Sequence, residues 1–290
     1  MNIERVGTAR YQVGEGPVWD PAEQALYFVD LLDKAVWRYD EAAATFRSWS
    51  MPSMVGCLAV REQGGLVVAL EDGLHRLDTA TGELQRFNDL LGSLAETQPN
   101  DGKVDPRGRL VVGTQPKSLA DMRPLGRLFC VHPDGRTEPL DEGFKIANGP
   151  AWSLDGSTFY FSNSITKTLF AYDYDLDTGR VANRRVFADT SALGGMPDGA
   201  TVDTEGRLWV AICGGGKVAA YRPDGTLERT VDLPVPLVGS VMFGGPNLDR
   251  LYVTTLDARL LGMSDHPLGG ALFVIDGLGA QGRPEHRFAG

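Results

Sequence analysis

Apolar positions along this chain come in short runs, not in helical stripes. Runs such as Leu26-Tyr27-Phe28-Val29 and Leu208-Trp209-Val210 are dense in β-branched and aromatic residues. Each follows a short polar turn, often containing glycine, and a second short strand-like run precedes that turn. Long helical periodicity is absent. The pattern is one of hairpins and predicts an all-β protein.

The hairpins repeat. Segments beginning at Glu15 (EGPVWDPAEQALYFVD), Val55 (VGCLAVREQGGLVVAL), Asn100 (NDGKVDPRGRLVVGT), Asn148 (NGPAWSLDGSTFYFS), Asp198 (DGATVDTEGRLWVAI) and Val238 (VGSVMFGGPNLDRLYVTT) align with one another. A period of roughly 40 to 50 residues with about four strands per unit is the mark of a β-propeller. Six units predict a six-bladed β-propeller. A pair of β-sandwiches would explain the hairpins but not this spacing. No linker or composition shift interrupts the chain, so residues 1–290 are expected to form a single propeller domain. The N-terminal RYQV segment is expected to complete the blade begun at Val238 and close the ring. Trp19, Trp152 and Trp209 recur within the units and are expected to pack between blades.

The first position of the aligned units reads Glu15, Val55, Asn100, Asn148, Asp198, Val238. Innermost strands of a propeller line its axis, so equivalent positions form a ring there. Taken alone, Asn100-Asp101-Gly102 in the stretch QPNDGKVD reads as a solvated turn. The register gives Asn100 a place on the axis beside Glu15, Asn148 and Asp198. Asp101 falls one place out of register, so it is expected to face elsewhere and to remain with Gly102 in a turn. Two carboxylates converging in a narrow channel repel unless a cation joins them. A set of carboxylates and amide carbonyls suits a hard divalent ion, Ca²⁺, Mg²⁺ or Mn²⁺. No histidine or cysteine occupies the column, which disfavours a soft metal. Such an ion polarises a carbonyl, and a neighbouring carboxylate can act as general base, which is equipment for hydrolysing an ester-like bond. The valines supply apolar walls.

Charge narrows the partners. Charged residues are 23% of the chain and the formal net charge is −10, with no basic stripe, so nucleic acid is not an expected partner. A cation or a small-molecule substrate fits better. No run of 18 apolar residues exists, so no membrane partner is expected. The N-terminal MNIERVGTARYQ lacks an apolar core, so no signal peptide is expected. The three widely separated cysteines, Cys57, Cys130 and Cys213, fit a reducing, cytoplasmic setting better than a disulfide framework. By default they are small buried hydrophobes. Nothing in the sequence signals an oligomeric state.

Several motifs together resemble the regucalcin (senescence marker protein)/gluconolactonase/luciferin-regenerating-enzyme family. They are GEGPVWD at 14–20, PNDGKVDPRGRL at 99–110, NGPAWSLDG at 148–156, YDYDLDTGRVANRRVF at 172–187, PDGATVDTEGRLWVAICGGGKV at 197–218 and FGGPNLDRLYVTT at 243–255. The resemblance spans essentially the whole chain. It implies a six-bladed propeller with one divalent cation on the axis, Ca²⁺ first, with Mg, Mn, Zn or Fe as alternatives. It also implies Glu15, Asn148 and Asp198 as metal ligands, Asn100 as a substrate contact and Asp198 as general base. Many members open lactones of sugar acids.

Two positions depart from that pattern. Gln98 stands where sugar-lactone members carry an arginine, and Ser118 stands where regucalcin-type members carry a glutamate. Gln98 and Ser118 are therefore expected to orient substrate without charge, which points to a less hydroxylated lactone or a related cyclic ester. The expected activity is a metal-dependent lactonase. The alternatives are a phosphotriesterase-like hydrolase and a non-catalytic divalent-ion-binding propeller. No Gly-x-Ser-x-Gly elbow is present, and His75, His132, His266 and His286 lie outside the column. The DYDLDTG stretch lacks the glycine and glutamate that a calcium loop needs and reads as a hairpin turn.

Overall fold

The computed structural model describes residues 1–90, 94–118 and 120–290. They form six antiparallel four-stranded sheets arranged as a six-bladed β-propeller. The innermost strands, in blade order, are Gly14–Asp20, Val55–Val60, Thr97–Val104, Ala147–Trp152, Met196–Val202 and Val238–Gly244. Each contacts the innermost strand of the next blade, and the sixth contacts the first, so the ring runs around one axis.

Burial falls from axis to rim, and the sequence follows it. The second strand of a blade is covered on both faces by its neighbours. Ala25–Asp30 and Leu66–Leu70 are therefore buried at every position and read as continuous apolar runs. The outermost strand has a neighbouring blade on few of its positions. Val181–Asp189 is mostly exposed and carries asparagine and two arginines. Charged, short or irregular outer strands also keep a sheet edge from pairing with another chain.

The sixth sheet is assembled from two distant parts of the chain. Val238–Gly244, Arg250–Thr255 and Leu272–Asp276 are joined at the rim by Asn2–Val6. The strand that completes this blade is thus NIERV at the start of the chain, not the RYQV segment. NIERV has the alternation of a rim strand, with Ile3 and Val6 less exposed than their neighbours. The RYQV segment lies flat between blades one and six. Val13 makes a lone bridge to Leu256, and the Tyr11 amide donates to the Gly270 carbonyl at 2.7 Å. The Gln12 and Val13 amides donate to the Asp30 carboxylate. Across the same joint the Trp19 ring stacks on Tyr252 at 5.7 Å, and Trp209 meets Phe243 edge-on at 5.8 Å between blades five and six. Trp152 packs on Phe159 and Tyr174 of its own blade, within a cluster that also reaches Val111 and Leu128 of blade three.

In blades three and five an aspartate at the same place ties the inner hairpin turn to the blade. The Asp203 carboxylate accepts from the Glu205 and Arg207 amides, from Arg207 Nε at 2.6 Å and from Trp209 Nε1 at 2.8 Å. Asp105 does the same for Arg107 and Arg109, and it also accepts from the Tyr174 hydroxyl at 2.6 Å. Arg109 then donates to the Leu176 and Asp177 carbonyls, so the DYDLDTG hairpin turn of blade four is the far anchor of a clamp between blades.

Residues 281–290 cross the end of the ring away from the column positions and bond to every blade. Partners include Leu248, Thr204, Gly108, Val60 and Glu62 through backbone groups. Arg287 reaches Asp20, and Glu285 accepts from Lys103 at 3.2 Å and from Thr201 at 3.2 Å. Only about 10 Å³ of free space remains between Lys103, Trp152, Val202, Glu285 and His286. This end of the channel is filled.

Replacing Asp105 by alanine strands the Arg109 guanidinium in a buried place, where loss of one partner costs about 3–5 kcal/mol. Urea unfolding of Asp105→Ala should show a loss of that order. A loss below about 1 kcal/mol would contradict the clamp.

Candidate functional site

All six innermost strands carry a register irregularity at the column position. It falls between Glu15 and Val18, Val55 and Cys57, Pro99 and Gly102, Asn148 and Ala151, Pro197 and Ala200, and Val238 and Ser240. A bulge turns a strand and re-aims its side chains. Here six bulges aim six positions at one axis. The glycine that follows most column residues is needed for space. A Cβ on Gly239 would lie 2.4 Å from Glu15 Oε1, and one on Gly199 would lie 1.9 Å from Ser240 Oγ.

The structure brings Glu15, Asn100, Asn148 and Asp198 together. Asn100 Nδ2 donates to the Asn148 amide oxygen at 2.6 Å and to the Ala147 carbonyl at 2.9 Å. Asn148 Nδ2 donates to Ser164 Oγ at 2.9 Å, and Asn148 also hydrogen-bonds Asp198. Asn148 Oδ1 is left with a lone pair for a cation, and Asn100 with its oxygen for a ligand. Glu15, Asn100 and Asn148 are buried, whereas Asp198 keeps part of its surface accessible.

Asp101 belongs to the same centre, contrary to its place in the sequence register. Residues 97–104 are strand, not turn, and Asp101 is 8% exposed. Its carboxylate accepts from the Gly149 amide of the next blade at 2.9 Å and from the Gly102 amide at 2.8 Å. The bulge between Pro99 and Gly102 lets two successive side chains avoid opposite faces, which an alternating strand forbids. Cys213 is the second unexpected member. Its thiol hydrogen-bonds Asp198 from the second strand of blade five. All three cysteines are free and buried.

Three carboxylates thus meet in a buried space, and among the described residues none has an ammonium or guanidinium within 4 Å. Burial, then the Asp198 and Asp101 charges, push Glu15 well above the usual carboxylate range, against one donor, the Gly16 amide. Burial and then Asp101 push Asp198 up in the same way, opposed by Cys213, Asn148 and the Gly199 amide. Burial also raises Asp101, with the Gly149 amide and Lys103 opposing. The centre lacks positive charge. Among the described residues no three His, Cys, Asp or Glu side chains form a metal-ligating cluster, so the fitting donor set is mixed: two carboxylates and the Asn148 amide oxygen.

Gln98 lies opposite Gln115 across the two inner strands of blade three, and both are buried near the open end of the channel. Ser118 is at the same end but exposed, in the loop after Leu110–Pro116. Its backbone carbonyl accepts from the Asp121 amide, and its side chain bonds none of the axial groups.

Residues 13–257 match the family model described as "SMP-30/Gluconolactonase/LRE-like region". The chain belongs to that SMP-30/gluconolactonase/LRE-like family. It is 36% identical to regucalcin of Gallus gallus, over 100% of this chain and 99% of the relative. It is 36% identical to a pentonolactonase of Haloferax volcanii, over 99% of this chain and 98% of that one. The solved structure of a calcium-binding protein, regucalcin, from Agrobacterium tumefaciens superposes with a TM-score of 0.91 at 28% identity, covering 98% of this chain and 96% of the other. Among the described residues no helix is long and apolar enough to cross a membrane.

The raised carboxyls fix a sign for stability. A folded state that holds protons the unfolded chain releases becomes less stable as pH rises through the raised value. Without divalent ions, the protein should melt at a lower temperature at about pH 8 than at about pH 5. Glu15→Gln should melt higher than the parent at the alkaline end and nearly level with it at the acidic end. A parent whose melting temperature rises with pH over that range would refute this account.

Proposed function

We propose that this chain is a metal-dependent lactonase that opens a sugar-acid lactone or a related, less hydroxylated cyclic ester. The observation that carries the reading is the buried trio of carboxylates without a counter-cation, in which only Asp198 stays accessible. Glu15, Asn148 and Asp198 would hold one divalent cation, Ca²⁺ first, and their oxygen donors fit a hard ion. When bound, such an ion supplies charge that polarises an ester carbonyl. The names borne by relatives, a pentonolactonase and a calcium-binding regucalcin, support both halves of the proposal.

The chain's own groups divide the remaining work. Asp198 accepts the proton of the attacking water. Its carboxylate has the reach, through its accessible surface, and the Asn148 and Cys213 hydrogen bonds fix its orientation. Asn100 has both amide protons committed, so its oxygen receives a substrate hydroxyl. Gln98 and Gln115 supply neutral donors and acceptors at the mouth, whereas Val55 and Val238 are fully buried in the apolar cores and line no channel wall, contrary to the expectation from the sequence. Hydrogen bonds from neutral amides hold a polyhydroxylated ring less tightly than charge-assisted ones. The C-terminal segment 281–290 across the far end keeps bulk water from reaching the centre from behind.

A pH-stat assay with a lactone panel tests this. The Ca²⁺-loaded protein should open at least one lactone, lose the activity on exhaustive chelation and regain it on addition of Ca²⁺. Asp198→Asn should lower kcat/KM by about 10²–10⁴, the usual contribution of a positioned general base. Full activity after chelation, or in Asp198→Asn, would overturn the mechanism. Comparable turnover of glucono-, xylono- and arabinonolactones would overturn the less hydroxylated substrate.

A further inference from the structure

Among the described residues, one buried lysine has no acid to answer it. Lys145 is 5% exposed and lies between the rim strand of blade three, Thr137–Phe144, and the innermost strand of blade four, just ahead of Asn148. Its Nζ is in contact with Met122 Sδ, in the same loop as Ser118. Among the described residues no carboxylate oxygen lies within 4 Å of that ammonium. A buried, unpaired ammonium is expensive and rarely kept without a task.

The acids nearby are committed elsewhere. Asp121, whose charge is felt by Lys145, is taken by Arg123 at 2.6 Å, and Arg123 with its own amide draws the Asp121 carboxyl down to about 2. Glu96 is held by Arg123 at 2.7 Å and Glu142 by Arg127 at 3.2 Å. The contrast is Lys103 at the filled end of the channel. It too is largely buried, but it is spent on Glu285 and the Ala200 carbonyl.

Lys145 lies at the open end. It leads into the strand that carries Asn148, and the loop against it leaves the strand in which Gln115 faces Gln98. The groups expected to orient substrate there, Gln98, Gln115 and Ser118, are all neutral. We propose that Lys145 is the substrate-reading cation of this site, and that the lactone it takes carries a carboxylate, which seats on the Lys145 ammonium while the ring ester lies over Asp198. The proposal rests on the lactonase reading and names its substrate class. The juxtaposition supplies its own logic: three acids on the axis repel an anion, so a fixed cation at the mouth is what admits an anionic substrate and points its charged end outward.

The test compares the parent with Lys145→Met and Lys145→Arg, all Ca²⁺-loaded and matched for Ca²⁺ content and melting temperature. D-glucaro-1,4-lactone carries a free carboxylate, and D-xylono-1,4-lactone carries none. Lys145→Met should raise KM for the glucarolactone about tenfold or more with kcat little changed, the scale of one lost charge-assisted hydrogen bond. It should leave the xylonolactone constants unchanged, and Lys145→Arg should recover most of the loss. An equal response to both lactones, or none, would overturn the proposal. Calorimetric titration with D-glucarate reads the same contact without turnover. The parent should bind it about tenfold more tightly than Lys145→Met, and equal affinities would overturn the proposal. If the parent opens no lactone at all, the lactonase reading falls, and the glucarate titration still decides the role of Lys145.

Discussion

Mutual repulsion among Glu15, Asp101 and Asp198 is the constraint around which this propeller is organised. Three carboxylates from blades one, three and five share a buried space, where burial raises all three and the Asp101 charge further opposes ionisation of Glu15 and Asp198. An apolar ring of the same shape would fold more readily. The chain meets the difficulty with partial measures: backbone amides of Gly16, Gly102, Gly149 and Gly199, the side chains of Asn148 and Cys213, and the distant charge of Lys103. All are hydrogen-bond donors or weak fields, and none is a paired cation. The unmet charge is the observation on which the proposed divalent-ion site rests.

Holding such a centre in place requires a stiff frame, and the rest of the structure reads as that frame. Blades three and five are pinned at their turns by buried aspartates, with Asp105 linking Arg107 and Arg109 of blade three to Tyr174 and through Arg109 to the backbone of blade four. Aromatic contacts close the joints around blades one, five and six. The bulges then convert a regular sheet into an aimed one, at the expense of ladder hydrogen bonds that a regular strand would keep. Glycine at four of the bulges is a steric requirement, since a Cβ on Gly56, Gly149, Gly199 or Gly239 would meet a neighbouring strand at 2.6 Å or less.

Much of this was legible in the sequence, and for a definite reason. Strands buried on both faces are mostly apolar, so the second strand of each blade announces itself, and six recurrences give the ring. Once a ring is known, a column of the repeat is a location, which is why Glu15, Asn100, Asn148 and Asp198 were readable as neighbours across nearly two hundred residues. Asp101 was not, because register arithmetic assumes alternation and the bulge after Pro99 breaks it. Cys213 escaped for a related reason: it reaches Asp198 from the second strand, which the column does not sample. The strand closing blade six was misplaced from NIERV to RYQV because a rim strand, covered on few positions, carries little apolar signal. Residues 281–290 show no periodicity, since their partners are spread over all the blades and no one face is presented to them.

That crossing segment has a consequence for traffic. With the far end of the channel filled around Glu285, whatever reaches Asp198 arrives and departs through one opening. Hydrolysis of a lactone leaves a hydroxy acid, which bears one more negative charge than the ring it came from. On the lactonase reading the product would retreat past the next incoming molecule, and the acidic walls that hinder an anion's arrival would hasten its departure. On the lactonase reading, a one-door propeller with an acidic interior would in this sense expel the acid that the hydrolysis leaves.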